Sequence, residues 1–211
     1  MKEKKLKYEY TKTPLDYQIT EYDCGTTTLL NALRYLFERS EISPEVYKYI
    51  MQYTLDKSNE KGEIGKGGTS VYALEFLSNW LNENGKKKDM NIICKSIPET
   101  EISIYNKELE EQLQEGAVAI VRIKQGCDHY CLLTGIDEEY AYLFDPYYLN
   151  INYYDKDNKV EIIKDRPFEF NRKVKKTRMD ERSERDFALV KDENCEMIIV
   201  KRNWNVLFLN V

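Results

Sequence analysis

The stretch AVAIVRIKQGCDHYCLLTGIDEEYAYLFDP, residues 117–146, decides the fold. AVAIVRI (117–123), HYCLLTGI (129–136) and YAYLFD (140–145) are β-branched and aromatic runs, the composition of strands. Asp137, Glu138 and Glu139 join the second run to the third, which predicts an antiparallel hairpin. Further runs with strand character are NIIC (91–94), KVEII (159–163), CEMIIV (195–200) and NVLFL (205–209).

Ahead of Gly116 the period is helical. Leu29, Leu30, Leu33, Leu36 and Phe37 form one apolar stripe beginning just after Gly25. Ser43-Pro44 supplies an N-cap with proline at the first helical position, and Val46, Ile50 and Tyr53 make the buried side of a second helix. Thr69 or Ser70 caps a third through Ala73, Leu74, Leu77, Trp80 and Leu81; Gly85 ends it, followed by Lys86, Lys87 and Lys88. Asn106 caps a fourth, carrying Leu109 and Leu113 and stopped by Gly116. Helices first and strands second predict an α+β chain with an antiparallel sheet. A helical lobe, about 24–115, would pack on a β lobe, about 117–211, in one domain (18–211) after an extended or disordered segment (1–17).

Composition narrows the class. The 211 residues are 42% hydrophobic and 33% charged, with a net charge of −5; mean hydropathy is −0.66. No run is long and apolar enough to span a bilayer, and the N-terminus, MKEKKLKYEY, lacks the apolar core of a secretory signal. A cytoplasmic location is the expectation. The five cysteines are odd in number and irregularly spaced, which argues for reduced thiols over a disulfide framework. NRKVKKTRMDERSERD (171–186) mixes basic with acidic residues and reads as a solvated loop or helix face. The overall acidity argues against a nucleic-acid partner. KGEIGKGGTS (61–70) lacks the Gly-Lys-Ser/Thr end of a phosphate loop and reads as a mobile loop.

His129 is the only histidine. It opens one strand of the hairpin and Asp145 closes the other, so both lie at the same end. Far upstream, Cys24 stands at or just before a helix N-terminus, where unpaired N–H groups and the positive dipole end stabilise a thiolate. A cysteine nucleophile needs a base, the base needs an orienter, and the intermediate needs an oxyanion donor. His129 can serve as base, Asp145 as orienter, and the side-chain amide of Gln18 with the Cys24 N–H as oxyanion donors. Gly25 lets a substrate carbonyl approach the backbone. Gly25, Asp23, Gly67, Gly68 and Asp128 are the candidate substrate-binding residues.

Other readings use the same residues. Asp128 is a rival orienter, but as the neighbour of His129 on a strand it points to the opposite face. Cys127, His129 and Cys131 alternate and could face one way as zinc ligands; their spacing is not a usual zinc spacing, and neither metal nor cofactor is expected. Cys94 and Cys195 sit in apolar runs and read as inert core thiols.

QITEYDCGTTTLLNAL (18–33) together with HYCLLTGIDEEYAYLFDP (129–146) resembles the bacteriocin-processing, double-glycine-leader cysteine peptidase family. In that family a Gln stands the same short step before a Cys-Gly helix start, a His opens a strand, and an Asp-Pro ends the next. The resemblance implies a papain-like cysteine peptidase fold. It also implies a Cys24–His129–Asp145 triad with Gln18 as oxyanion donor, and a peptide or protein substrate cut after two small residues of a leader. It extends over roughly residues 14–147 in layout. Residues 148–211 fall outside it and are expected to extend the sheet or cover the cleft. The same acyl-enzyme could pass to an amine, giving an acyltransferase or amide ligase, and the fold could instead hold a leader peptide without cutting it. The sequence carries no reading of oligomeric state.

Overall fold

The computed structural model describes residues 12–85, 90–154, 156–181 and 183–203. Three helices come first: α1 (Cys24–Leu36), α2 (Pro44–Tyr53) and α3 (Val71–Gly85). Strand β1 (Ile92–Ser96), a short 3₁₀ turn (Glu99–Glu101) and α4 (Lys107–Gln114) lead into the sheet. Then follow β2 (Val118–Lys124), β3 (Asp128–Ile136), β4 (Tyr140–Phe144), β5 (Val160–Ile162), β6 (Arg172–Lys175), the short α5 (Lys176–Met179) and β7 (Met197–Arg202). The seven strands form one sheet in the order β1-β7-β2-β3-β4-β6-β5. Every pairing in it is antiparallel. The architecture is the expected mixture of helices and antiparallel sheet.

Strand alternation divides the core in two. Val118, Ile120, Tyr130, Leu132 and Phe144 face one side, where Leu29 and Leu33 of α1, Ile50 of α2 and Leu74, Leu77 and Leu81 of α3 cover them. Ala119, Val121, Cys131, Leu133, Leu143 and Val174 face the other, against Leu109 of α4, Met179 and Phe187. A sheet buried on both faces explains the near-continuous apolar run of β2. Complete burial of a leucine or isoleucine contributes about 1.5–3 kcal/mol, so the layered core dominates stability.

The helix boundaries follow their caps. Asn106 accepts from the Leu109 N–H at 3.0 Å and starts α4. Of the two candidate caps for α3, Ser70 does the work: its hydroxyl accepts from the Ala73 N–H at 3.1 Å. Gly116 takes φ +89° after α4, the left-handed stop that glycine allows.

Four expectations need correction. Tyr53 is not on the buried side of α2; it is 38% exposed and stacks with Tyr49 and edge-on to Phe76, while Val46 and Ile50 are the buried residues of that helix. Cys195 lies just before β7 and is half-buried. The first half of the run at 171–186 is not solvated: residues 172–179 form β6 and α5, and Asn171, Arg172, Lys176 and Arg178 are buried because each finds charged or carbonyl partners, while Glu184 and Arg185 further on are exposed as expected. Cys127 is exposed in the bend before β3 and does not share the buried face of His129 and Cys131. The chain after residue 148 adds β5, β6 and β7 to the sheet. Among residues 12–17, Leu15 is buried and its N–H donates to the Pro167 carbonyl at 2.8 Å. The strand expected at 205–209, the lysines 86–88 and residues 1–11 lie outside the described residues. No helix among those described is long and apolar enough to cross a membrane.

Candidate active site

The β3–β4 register builds the site from the hairpin outward. Leu132 pairs with Phe144, so Cys131 and Asp145 come next across the ladder and His129 follows two residues on. Side chains two apart on a strand share a face. His129, Cys131 and Asp145 accordingly bring their polar atoms within 4.8 Å of one another, all three residues buried.

His129 Nε2 lies 2.9 Å from Asp145 Oδ1, with the carboxylate 0% exposed. That oxygen also accepts from the Tyr147 N–H at 2.8 Å. The second oxygen pairs with Arg172 Nη2 at 2.9 Å and accepts from Gln125 Nε2 at 3.2 Å. Asn171 clamps the backbone of the same residue, accepting from the Asp145 N–H at 2.7 Å and donating to its carbonyl at 2.8 Å. Burial pushes the Asp145 carboxyl up, but His129, Arg172 and the Tyr147 N–H outweigh it and hold the group below its usual range. An ionised carboxylate fed by four donors, one a guanidinium, suits an ion network better than a metal ligand.

The N-terminus of α1 brings in the thiol. Its first intrahelical bond runs from the Thr27 N–H to the Asp23 carbonyl at 2.9 Å, which leaves the earlier N–H groups of the turn outside the helical ladder. Thr28 Oγ1 donates to the Tyr130 carbonyl at 3.0 Å and fixes the helix start against β3. Burial raises the Cys24 thiol, yet the hydrogen bond and charge of His129, with the N–H groups of Tyr130 and Gly25, lower its pKa on balance. Burial depresses His129 in turn, but its hydrogen bonds to Asp145, Cys131 and Cys24 carry it above the usual imidazole value. The paired shifts favour a thiolate–imidazolium couple. Cys131 itself is pushed up to about 12 by burial and the nearby Asp145, so it stays a thiol; burial does the same to Cys94, also to about 12.

Two clefts meet at His129. One, of about 380 Å³, is lined by Cys24, Gly67, Gly68, Thr69, Arg122 and Asp128 among others. The second, of about 300 Å³, is lined by Gln18, Gln125, Tyr147, Tyr153, Tyr154 and Asp186 among others. Gln18 sits beside His129 in this second cleft, its amide Nε2 donating one hydrogen to the Thr20 carbonyl at 2.7 Å. The amide carries a second N–H. Gly25 packs so tightly on the 61–70 loop that a Cβ there would stand 2.5 Å from Thr69 Oγ1. Asp23 turns away: its carboxylate accepts from the N–H groups of Ile19 and Thr20 and closes the turn before α1. Asp128 pairs with Arg122 at 3.3 Å and Lys124 at 3.0 Å, which leaves the orienting position to Asp145.

Sequence reasoning missed Gln125, Arg172 and Asn171. The last two lie in the basic run read as solvated, where composition gave no sign that two residues turn inward.

No family model matches the chain, and no curated protein matches it. Among solved structures, the chain is similar to the crystal structure of a double glycine motif protease from an AMS/PCAT transporter in complex with its leader peptide. The two share 16% identity over 93% of this chain and 96% of that one, at a TM-score of 0.45.

Proposed function

We propose that this chain is a thiol peptidase with a papain-like fold in one domain. The observation that carries the reading is that His129, bonded to the buried Asp145 at 2.9 Å, lines the same cleft as Cys24 at the N-terminus of α1. In this reading the Cys24 thiolate attacks an amide carbonyl. The Cys24 N–H and the second amide N–H of Gln18, which lines the adjoining cleft on the other side of His129, would donate to the oxyanion. The His129 imidazolium then gives its proton to the leaving amine. His129 next takes a proton from water, which attacks the thioester and releases the acid. Asp145 keeps the ring in the tautomer that presents Nδ1 to the thiol.

The substrate we propose is a peptide cut after two small residues of Gly-Gly type. The resemblance of residues 18–33 and 129–146 to double-glycine-leader peptidases supports that choice. The glycines at 67 and 68, which line the Cys24 cleft, would allow close approach of a peptide backbone. A reducing, cytoplasmic setting suits a site that depends on a free thiol, and all five cysteines are free.

The test is cleavage of synthetic peptides bearing a Gly-Gly step, analysed by mass spectrometry with and without an added amine. Cleavage after the second glycine, absent in Cys24→Ala, is the expected result. A product joined to the amine in place of the acid would replace hydrolysis by transfer. Tight peptide binding without turnover in wild type would remove the enzyme reading altogether.

A further inference from the structure

Among the described residues, one buried cation besides His129 is paired with the Asp145 carboxylate. Arg172 is 1% exposed and heads the fully buried side chains by size. Its Nη2 lies 2.9 Å from Asp145 Oδ2 and donates to the Tyr147 carbonyl at 2.8 Å, while Nη1 donates to the Asn171 carbonyl at 3.0 Å. A guanidinium keeps its proton in any protein setting, so this is a permanent positive charge sealed against the far side of the orienting carboxylate.

We infer that Arg172 is a positioning residue of the Cys24–His129–Asp145 relay, whose guanidinium brings the buried ionised set to zero net charge. The inference rests on the thiol-peptidase reading. With Cys24 as thiolate, His129 as imidazolium and Asp145 as carboxylate, the three groups sum to −1; Arg172 restores neutrality. An uncompensated charge in a buried, low-dielectric site is strongly disfavoured. The site would then relieve itself by taking up a proton, and the first group to accept it is the thiolate. Arg172 thus holds the thiol ionised without touching it.

Among the described residues, His129 and Arg172 are the cations paired with the Asp145 carboxylate; Lys57 and Lys66 line the Cys24 cleft, with Lys66 paired to Glu63 at 2.7 Å. Asp145 is faced from β3 by His129 and by Cys131, which stays a neutral thiol. From the bend before β3 it meets neutral Gln125, and from the chain after β4 the Tyr147 N–H. Tyr154 stands nearby with its hydroxyl donated to Asp186 at 2.9 Å. On β5 and β6, Glu161 and Lys173 pair with each other on the opposite side of the strands from Arg172. On the thiol side, Arg122 is engaged by Asp128 at 3.3 Å, and the Tyr130 hydroxyl donates to Glu196 at 2.5 Å.

The experiment is the pH dependence of iodoacetamide labelling, with Cys24 mapped by mass spectrometry. Arg172→Gln is expected to move the Cys24 midpoint upward by about one pH unit, since losing a nearby positive charge makes every neighbouring proton harder to release. Arg172→Lys, which keeps the charge, is expected to stay at the wild-type midpoint. If Arg172→Gln alone fails to fold, it is read in the Asp145→Asn background, where both charges leave together. There Asp145→Asn/Arg172→Gln must again lie above Asp145→Asn. A midpoint unchanged by Arg172→Gln, while His129→Ala still abolishes low-pH labelling, overturns the inference and leaves the peptidase reading standing. An ordinary thiol titration in wild type overturns both.

Discussion

His129 meets Asp145 through Nε2, at 2.9 Å and with the carboxylate fully buried, and the same imidazole lines the cleft that holds Cys24. The strand pairing brings the two residues to one end of the hairpin, since Leu132 pairs with Phe144 and the polar atoms of His129, Cys131 and Asp145, just beyond that pair, lie within 4.8 Å of one another.

Because nucleophile and base act as a unit, Cys24→Ala is expected to abolish turnover with an unchanged circular dichroism spectrum. His129→Ala should cost nearly as much, on the order of 10⁴–10⁶-fold in kcat. Asp145→Asn should cost less, since the imidazole remains and only its orientation and charge support weaken. Steady-state kinetics on a cleavable peptide measures all three; appreciable activity in Cys24→Ala sinks the site.

The pH profile of kcat/KM should be bell-shaped. The Cys24 pKa is lowered, so the thiolate forms as pH rises through a value below the usual thiol figure. The His129 pKa is raised, so the imidazolium persists above about 6.5, the ordinary histidine value, and is lost as pH climbs through the raised one. The active window lies between the two. A single rising limb near the pKa of a free thiol would contradict the couple.

Stability should carry the same signature. Asp145 has a depressed folded pKa, so it stabilises the fold above about 3.9, its unfolded value, and that contribution is lost as pH falls through the folded one. His129, with its raised pKa, stabilises most below about 6.5 and loses this as pH rises through its folded value. Thermal melts against pH in wild type and Asp145→Asn check this: the acid-side loss attributable to Asp145 should vanish in the variant.

Gly25→Ala should destabilise the fold by about 1–3 kcal/mol, the usual cost of overpacking, and displace the loop beside the thiol. The added Cβ would stand 2.5–3.0 Å from three atoms of Thr69, a branched side chain already buried. Thr69→Gly in the same chain should recover most of the lost melting temperature. If Gly25→Ala melts as wild type does, the close packing of α1 on this loop is wrong.

Asn171→Ala should cost about 1–3 kcal/mol, because it strands the buried N–H and carbonyl of Asp145. Activity should fall further than stability alone explains, since the carboxylate's backbone anchor is lost. Denaturant melts paired with kinetics on the folded fraction separate the two effects.

How much was legible in advance depends on range. The helix of Cys24, the caps at Asn106 and Ser70 and the hairpin of His129 and Asp145 were readable because each rests on periodicity or on a local donor and acceptor. Tyr53 misled because an aromatic at helical spacing reads the same whether it packs inward or stacks on surface rings. Arg172 misled for a related reason: composition reports that a residue is charged, not that a buried carboxylate waits for it across the sheet.

The sequence alone determined the helices, the strands, and a cysteine, a histidine and an aspartate placed at the starts and ends of those elements. Their encounter was a matter of tertiary structure, since it requires α1 to dock its N-terminus on β3 and the β3–β4 register to align residue 131 with residue 145. The charge that completes the site comes from β6, nearly thirty positions beyond the Asp it holds. Local propensity has no access to such a contact: burying an arginine is unfavourable until the fold supplies the carboxylate, and only the folded sheet brings the two together.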